Sequence, residues 1–510
     1  MIFYSRKQAL LLHSLPCIIF LLMPFVLNYP NIKVYSLFAT FCNFGKGILF
    51  HTIGVILAII VPITFAILRL SFSSYTMSWF AHPYLAFLMF IPCSLVGLLI
   101  PRILWGDFPL SHGVSTFKTS NEVFTDEARF WGAFGLYALI TLVYLAAGLS
   151  GGFLTFFLLA SMISARILFW ILNKHFGYRS TKSIIGYALS MIPSLIYSVY
   201  FGGFLVQFLI EKMGMMGSLP QPYGYFVPDI IVAAVVGVVT GFCVGPLLPV
   251  VGHWLARSSI VQFLLHFSVL ALALSSQFFP YSKDAPKRLI LQHTFVKADG
   301  NRIVESSYDF SVVDSNSFHF LFKYAPEAAE ELHLNQISSL ENVNTSERGT
   351  WMALFPVSFM FSGSLKFPAK SEDILTHYGY LPHLSINKPT THSSSGSRKV
   401  FLELNLGSLE EVWVTVLNIT GPLSGWSFAD NQLPAPEVMD GGPPSYICRI
   451  SGTSHENWTF WLEANSSDPL NIDVVVLDQY LASDFRKLKG LFPSWVDVTA
   501  YSSFLSSYVF

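Results

Sequence analysis

The chain has 510 residues, 53% of them hydrophobic and 12% charged, against about 25% charged in a soluble globular protein. With 47 Phe as well, that balance excludes a wholly soluble enzyme, a disordered chain and a collagen-like fibre. The formal net charge of −1 hides a division: residues 1–280 hold 14 Lys and Arg against 6 Asp and Glu, and residues 281–510 hold 16 against 25. A basic, apolar first domain (1–280) and an acidic, ordinary second one (281–510) are therefore expected. No basic stripe with interleaved aromatics occurs, so nucleic acid is not expected as a partner.

A bilayer-spanning helix needs about 20 mostly apolar residues. Eight stretches qualify, at 9–29, 47–70, 83–105, 129–149, 152–173, 183–211, 226–250 and 258–279. They predict a multi-pass bundle whose solvent is the lipid bilayer. The separators carry turn and polar signals, such as Tyr29-Pro30-Asn31, Gly151-Gly152 and Asn173-Lys174-His175. Pro62, Pro92 and Pro193 fall inside spans, where neighbouring helices can satisfy the freed backbone groups.

Positive charge favours the cytoplasmic side of short loops. One set of alternate loops carries Lys33, Lys46, Arg102, Lys118, Arg129, Lys174, Arg179, Lys182 and Arg257; the other side carries Arg69, Lys212, Arg6 and Lys7. Nine against four predicts a cytosolic first set and a lumenal second half. Asn-x-Ser/Thr sequons fall at Asn344, Asn418, Asn457 and Asn465, all after residue 281, which agrees with a glycosylated lumenal tail. Arg6 and Lys7 disagree, since a charged start followed by an apolar run also fits a signal peptide. The length of that run and the lack of a small-x-small cleavage site favour a span.

Ionisable residues inside a membrane usually mark a pathway. Here Asp107, Glu211 and Asp229 stand at or just beyond span ends, Arg166 can snorkel, and His51, His253 and His266 are isolated. A packing role is the favoured expectation for each His, and a transporter is disfavoured. Stretches rich in Gly and Ala, Ala146–Gly152 and Ala233–Gly241, predict close helix–helix approach.

From Tyr281 the pattern changes to short alternating apolar runs. Strands are predicted at Arg288–Val296, Ser317–Tyr324, Val400–Leu406, Val412–Ile419, Tyr446–Ser451, Trp458–Ala464 and Asn471–Leu477, bounded by Gly, Pro, Asn and Ser clusters. About seven strands suggest an all-β sandwich. Lys388–Lys399 reads as an exposed loop and Ser483–Leu491 as a short helix. Only Cys448 of the five cysteines lies here, so no disulfide can form within this domain; Cys17, Cys93 and Cys243 fall in spans and Cys42 in a cytosolic loop.

Catalytic signatures are wanting. No His-Glu-x-x-His zinc motif, Gly-x-Ser-x-Gly elbow or phosphate loop occurs. The acid pairs Asp126-Glu127, Glu330-Glu331 and Glu410-Glu411 read as solvated faces.

Several runs are specific in combination. The seam reads Pro280-Tyr-Ser-Lys-Asp-Ala-Pro-Lys-Arg-Leu-Ile-Leu-Gln-His293. Further on stand Leu433-Pro-Ala-Pro-Glu-Val438, Phe460-Trp-Leu-Glu463, Tyr480-Leu-Ala-Ser-Asp484, Phe492-Pro-Ser-Trp495 and Tyr508-Val-Phe510. With the multi-span half before them, these resemble the endoplasmic reticulum metallopeptidase family in its plant-like form. The resemblance covers the later, membrane and lumenal portion of such a protein. It implies residence in the endoplasmic reticulum membrane and a two-zinc aminopeptidase domain placed before the bundle. No residue here matches that domain's His-x-Asp, bridging Asp, acidic pair and later His, so no catalytic or metal residue is assigned. Zinc is implied only for the absent peptidase domain, and no cofactor is expected in these 510 residues.

The expected function is thus the membrane-embedded and lumenal part of a zinc metallopeptidase-like protein, without catalytic activity of its own. The alternative is a non-catalytic membrane scaffold that binds a lumenal protein partner. Trp426, Trp458 and Trp495 are its candidate anchors, although a core role is favoured for each.

Overall fold

A computed structural model describes residues 34–71, 73, 75–104, 118–177, 180–213, 223–298, 302–312, 314, 316–334, 365–369, 372–392, 397–436, 444–451, 457–466 and 468–510. The expected span at 9–29, together with Cys17, Asp107 and the sequon at Asn344, lies outside these residues. The chain divides into two units. One runs to Pro280 without residues 214–225, and the other holds Tyr281–Phe510 with them.

The first unit is helical. Its elements are α1 (Val34–Leu70), the short α2 (Ser78–Ala81), α3 (Tyr84–Leu104), α4 (Lys118–Ala146), α5 (Gly152–Phe176), α6 (Thr181–Met213), α7 (Tyr223–Val244), α8 (Leu248–Leu255) and α9 (Ser258–Ser275). Among the described residues seven segments are long and apolar enough to cross a membrane, and they coincide with the remaining seven expected spans. Cys42, expected in a loop, lies within α1. The span predicted as one helix at 226–250 is broken: a 3-10 turn at Gly245–Leu247 separates α7 from α8. Pro246 supplies no amide hydrogen there, and its ring cannot continue a helix.

Helix approach is set by missing side chains. An added Cβ at Gly132 would lie 2.1 Å from the Gly47 carbonyl carbon, one at Gly97 would lie 2.3 Å from Leu57 O, and one at Gly237 2.5 Å from Ala58 O. These contacts bring α4, α3 and α7 each against the backbone of α1, the close-packing mode of lipid-embedded helices. Gly237 belongs to the Ala233–Gly241 stretch singled out above. The other such stretch, Ala146–Gly152, forms a tight turn instead. Gly148 has φ +69°, and Leu149 N–H donates to Tyr144 O (2.9 Å) while Gly148 N–H donates to Leu145 O (3.1 Å). This is a Schellman cap, which glycine enters without a Cβ penalty.

The second unit is β-rich. Its strands are β1 (Lys287–Lys297), β2 (Ile303–Val312), β3 (Leu365–Pro368), β4 (His383–His392), β5 (Arg398–Asn405), β6 (Val412–Thr420), β7 (Leu423–Trp426), β8 (Ser445–Ile450), β9 (Trp458–Ala464), β10 (Asn471–Asp478) and β11 (Val496–Val509). Helices α10 (Phe318–Tyr324), α11 (Pro326–Glu331), α12 (Glu372–His377) and α13 (Ser483–Gly490) interrupt them. A seven-stranded sheet has the order β3-β2-β1-β11-β10-β6-β8, and a four-stranded sheet the order β4-β5-β9-β7. β1 and β11 pair in parallel, Lys287 opposite Val496; the other pairs are antiparallel. Leu289, Leu291, Phe295 and Phe310 of the larger sheet share one core with Leu402, Leu404, Phe460 and Leu462 of the smaller, so the two form a sandwich. The larger sheet also buries Ile290, Val416, Val475, Leu477, Tyr501 and Leu505 on its opposite face.

Two expectations are corrected. Ser317–Tyr324 is not a strand: Ser317 caps α10, its hydroxyl accepting from Phe320 N–H at 3.4 Å. A short apolar run fits helix or strand equally, and the cap decides it. Lys388–Lys399 is not simply a loop, because β4 continues to His392 and β5 begins at Arg398, with register shifts near Lys388. The strands at Arg288, Val400, Val412, Tyr446, Trp458 and Asn471 and the helix at Ser483 form as expected.

Candidate functional site

Among the described residues, three clusters bring charged and polar side chains together within or beside the apolar framework. The first joins four elements of the helical unit. Arg69, in the last turn of α1, donates from Nη1 to Asp229 Oδ2 at 3.0 Å and from Nε to Ser275 Oγ at 2.9 Å, and from Nη2 to Ser78 Oγ. Asp229, one residue after Pro228 in α7, accepts at Oδ1 from Trp79 Nε1 (2.6 Å) and from the Met77 N–H (3.2 Å). Both ionic side chains are about 1% exposed. Met77 adopts φ 64°, which turns its amide toward the carboxylate. Every oxygen and donor nitrogen named here is matched, so the cluster works as a clasp joining the ends of α1, α7 and α9 to α2. Sequence reading placed Asp229 near a span end and counted Arg69 as a loop charge. It had no means of pairing residues 160 apart.

The second cluster lies at the other end of the same unit. A cavity of roughly 40 Å3 is lined by Phe50, His51, Leu98, Arg102, Arg129 and Pro249, among others. Arg102 Nη1 donates to Leu248 O at 3.1 Å, and the Arg129 guanidinium stands 5.3 Å from the Phe50 ring centre. His51 Nε2 lies 3.2 Å from Tyr137 OH; the pair packs against Gly245, where an added Cβ would fall 2.3 Å from that hydroxyl. His51, expected to be an isolated packing residue, thus lines a cavity. His266 is exposed and bonded to Gln262 O. Arg166 pairs with Glu127 at 3.1 Å.

The third cluster sits at the seam where the β unit begins. Lys287 is fully buried, pairs with Asp314, donates to Asn316 O at 2.5 Å and stands 5.3 Å from the Tyr281 ring centre. Asn316 Nδ2 donates to Tyr281 OH at 2.9 Å, and the Tyr281 ring stacks on Trp495. Burial lowers the Lys287 pKa against the pull of Asp314, and burial raises that of Asp314. Tyr281, Lys287 and Trp495 all stand in the runs that carried the family resemblance, so those runs encode a packing lock.

A two-zinc centre needs converging His and carboxylate ligands. Among the described residues no three of His, Cys, Asp and Glu converge to hold a metal ion, so these residues do not fit the zinc implied for the peptidase domain. Glu331 of the acid pairs bonds Lys487 at 3.1 Å. Cys93, Cys243 and Cys448 are buried thiols, and burial pushes Cys448 up to about 11, away from thiolate reactivity.

The sequon asparagines stand apart. Asn457 and Asn465, just before and after β9, are exposed. Asn418 is only 6% exposed within β6; its Nδ2 donates to Asp473 Oδ2 at 3.3 Å and its Oδ1 accepts from Ser445. The three tryptophans considered as anchors turn inward. Trp426 is buried with Nε1 donating to Gln432 O at 2.8 Å, and Trp458 and Trp495 pack against the core.

Residues 284–508 match the family described as endoplasmic reticulum metallopeptidase 1, C-terminal domain. No curated protein matches the chain. Among solved structures, a yeast delta-COP-I mu-homology domain aligns at 12% identity over 43% of this chain and 95% of its own, with a TM-score of 0.20. The same domain complexed with a Dsl1 WxWxV peptide aligns at 13% identity, over 43% of this chain and 96% of its own, with a TM-score of 0.20.

Proposed function

Since residues 284–508 make the chain a member of the endoplasmic reticulum metallopeptidase family, we propose that its 510 residues are the membrane anchor and lumenal domain of such a protein and perform no peptide hydrolysis themselves. The family match is the observation that carries this reading. Hydrolysis by a zinc exopeptidase requires a metal-activated water, and the described donors do not gather around one point. The role left to this portion is to hold a catalytic domain, or a lumenal partner, at the membrane surface.

Orientation follows from charge. Arg69 is consumed by its buried pair with Asp229 and no longer counts among the loop charges, so the balance of nine against four becomes nine against three. Lys46, Arg102, Arg129, Lys174, Lys182 and Arg257 lie toward one end of the bundle, which we assign to the cytosol. The chain leaves the helices at Pro280, whose carbonyl accepts from Ala81 N–H at 3.2 Å, at the Arg69 end. The β unit is then lumenal, in the endoplasmic reticulum.

Aminopeptidase assay of the purified chain with added zinc tests the first claim: no chelator-sensitive turnover is expected, and clear turnover abolished by chelator overturns it. Glycosidase-sensitive mobility in microsomes tests the second. Asn457→Gln and Asn465→Gln should each remove a glycan step. Asn418→Gln should remove none, because its amide nitrogen is enclosed in the sheet. Digestion of the β unit by protease added outside sealed microsomes would refute the lumenal assignment.

A further inference from the structure

The face of the larger sheet opposite the sandwich core buries polar side chains beside its apolar ones. Side chains alternate along a strand, so Gln292 and Thr294 of β1 share this face with Ile290. Gln292 stands opposite Asp309 on β2 and Tyr501 on β11, and Thr294 stands opposite Ser307 and Ser503. All six side chains belong to residues no more than 3% exposed. Asp309 Oδ2 accepts from the Thr294 hydroxyl and, at 3.0 Å, from that of Ser307. Thr294 Oγ1 in turn accepts from Gln292 Nε2 at 2.7 Å, the only side-chain nitrogen of the set. Four oxygens are left without a hydrogen-bond partner: Asp309 Oδ1, Gln292 Oε1, Tyr501 OH and Ser503 Oγ. The Asp309 charge reaches Tyr501, where it adds to burial in raising the phenol pKa.

A buried carboxylate is costly unless a counter-charge meets it. The basic residue across the ladder from Asp309 is Lys366, but its ammonium is 44% exposed and pairs with Glu305 at 2.7 Å. These two act on Asp309 in opposite senses. Water could bond the four oxygens but would leave the charge. An all-oxygen set suits a hard cation, and a single carboxylate balances a single positive charge. We propose that Asp309, Gln292, Tyr501 and Ser503 form a binding site for one monovalent metal cation. Asp309 Oδ1 supplies the charge, Gln292 Oε1 a carbonyl dipole, and the two hydroxyls the other oxygens. The bonds from Thr294 and Ser307 hold the carboxylate by Oδ2, which leaves Oδ1 free. Trp413 packs edge-on against Tyr501, 5.7 Å between ring centres, and is 47% exposed, so one side chain separates that ring from solvent. Acid would cancel the same charge with a proton, as the raised pKa of Asp309 under burial indicates, and proton and cation therefore compete. The site lies within the β unit and rests on neither the orientation nor the peptidase reading.

The test is sodium NMR of the full chain in a non-ionic detergent at neutral pH. Sodium chloride is titrated while choline chloride keeps the ionic strength constant. Saturable line broadening that fits one ion per chain is expected. Asp309→Asn keeps an oxygen but removes the charge, and should weaken binding about ten-fold. Tyr501→Phe removes one neutral oxygen and should weaken it about three-fold. Asp497→Asn, at an exposed acid of the same strand as Tyr501, should bind as the parent does. If Asp309→Asn fails to fold, Tyr501→Phe with an unchanged melting temperature carries the test. Broadening that does not saturate, which would leave water as the occupant, overturns the proposal. So does parental binding in both site variants, or an equal loss in Asp497→Asn. Displacement of sodium by an equimolar amount of calcium overturns it as well, since that would identify a divalent site.

Discussion

Among the described residues, each unit buries an Asp against a basic side chain, and the two solve the problem differently. In the helical unit Asp229 receives Arg69, an indole N–H and a backbone N–H, while Arg69 spends its remaining donors on two serines. In the β unit Lys287 meets one carboxylate, one carbonyl and an aromatic face. The difference follows from the cations, since both pairs are buried. A guanidinium presents its donors in a planar fork, which a carboxylate and two hydroxyls meet from separate elements. An ammonium is a compact point charge, and here the π face of Tyr281 takes the place of a further acceptor.

The largest expected effect lies at the clasp. Arg69→Met or Asp229→Leu alone leaves a buried charge without its partner and should cost about 3–5 kcal/mol. The double variant should recover most of that, because the desolvation cost disappears with both charges. Unfolding of the detergent-solubilised chain, followed by tryptophan fluorescence, measures both. If the single variants are no worse than the double, the pair is not the fastening it is held to be.

Asp314→Asn should cost less, about 2–3 kcal/mol, since Lys287 keeps the Asn316 carbonyl and the Tyr281 ring. A loss equal to that at Asp229 would break the distinction between the units.

The smallest effect concerns pH. Burial raises the Asp309 pKa above its ordinary 3.8, with Glu305 adding to the rise and Thr294, Ser307 and Lys366 opposing it. The folded state then holds that proton more tightly than the unfolded one. This contribution to stability is complete below the ordinary value and is lost as pH rises through the folded one. Asp309→Asn should remove that slope, at most about 1.4 kcal/mol per pH unit, in urea unfolding measured across the acid range.

The seven described spans were legible because lipid demands an unbroken apolar length. Six strands were legible from clean alternation, as in Phe401–Leu406. Strands β2 and β11 were not, because Ser307, Asp309, Ser502 and Ser503 are polar yet buried, so burial did not follow the hydrophobic pattern. The same limit hid the clasp and the cavity. Arg69 and Asp229 are distant in sequence, and each looks like an ordinary helix-end charge until helices α1 and α7 are set side by side. The seam motif Tyr281–Lys287 was visible as a signature, but its use as a lock appears only with Asp314 and Trp495 in place.

The placement of β11 constrains how the β unit is made. It is the latest strand in chain order, yet it lies between β1, the earliest, and β10. During vectorial synthesis β1 and β10 must therefore wait, each with an unsatisfied edge, until Val496–Val509 emerges. Chaperones would find their longest engagement in that interval, and a stop codon before Val496 would leave two sticky ribbons rather than a shortened sandwich.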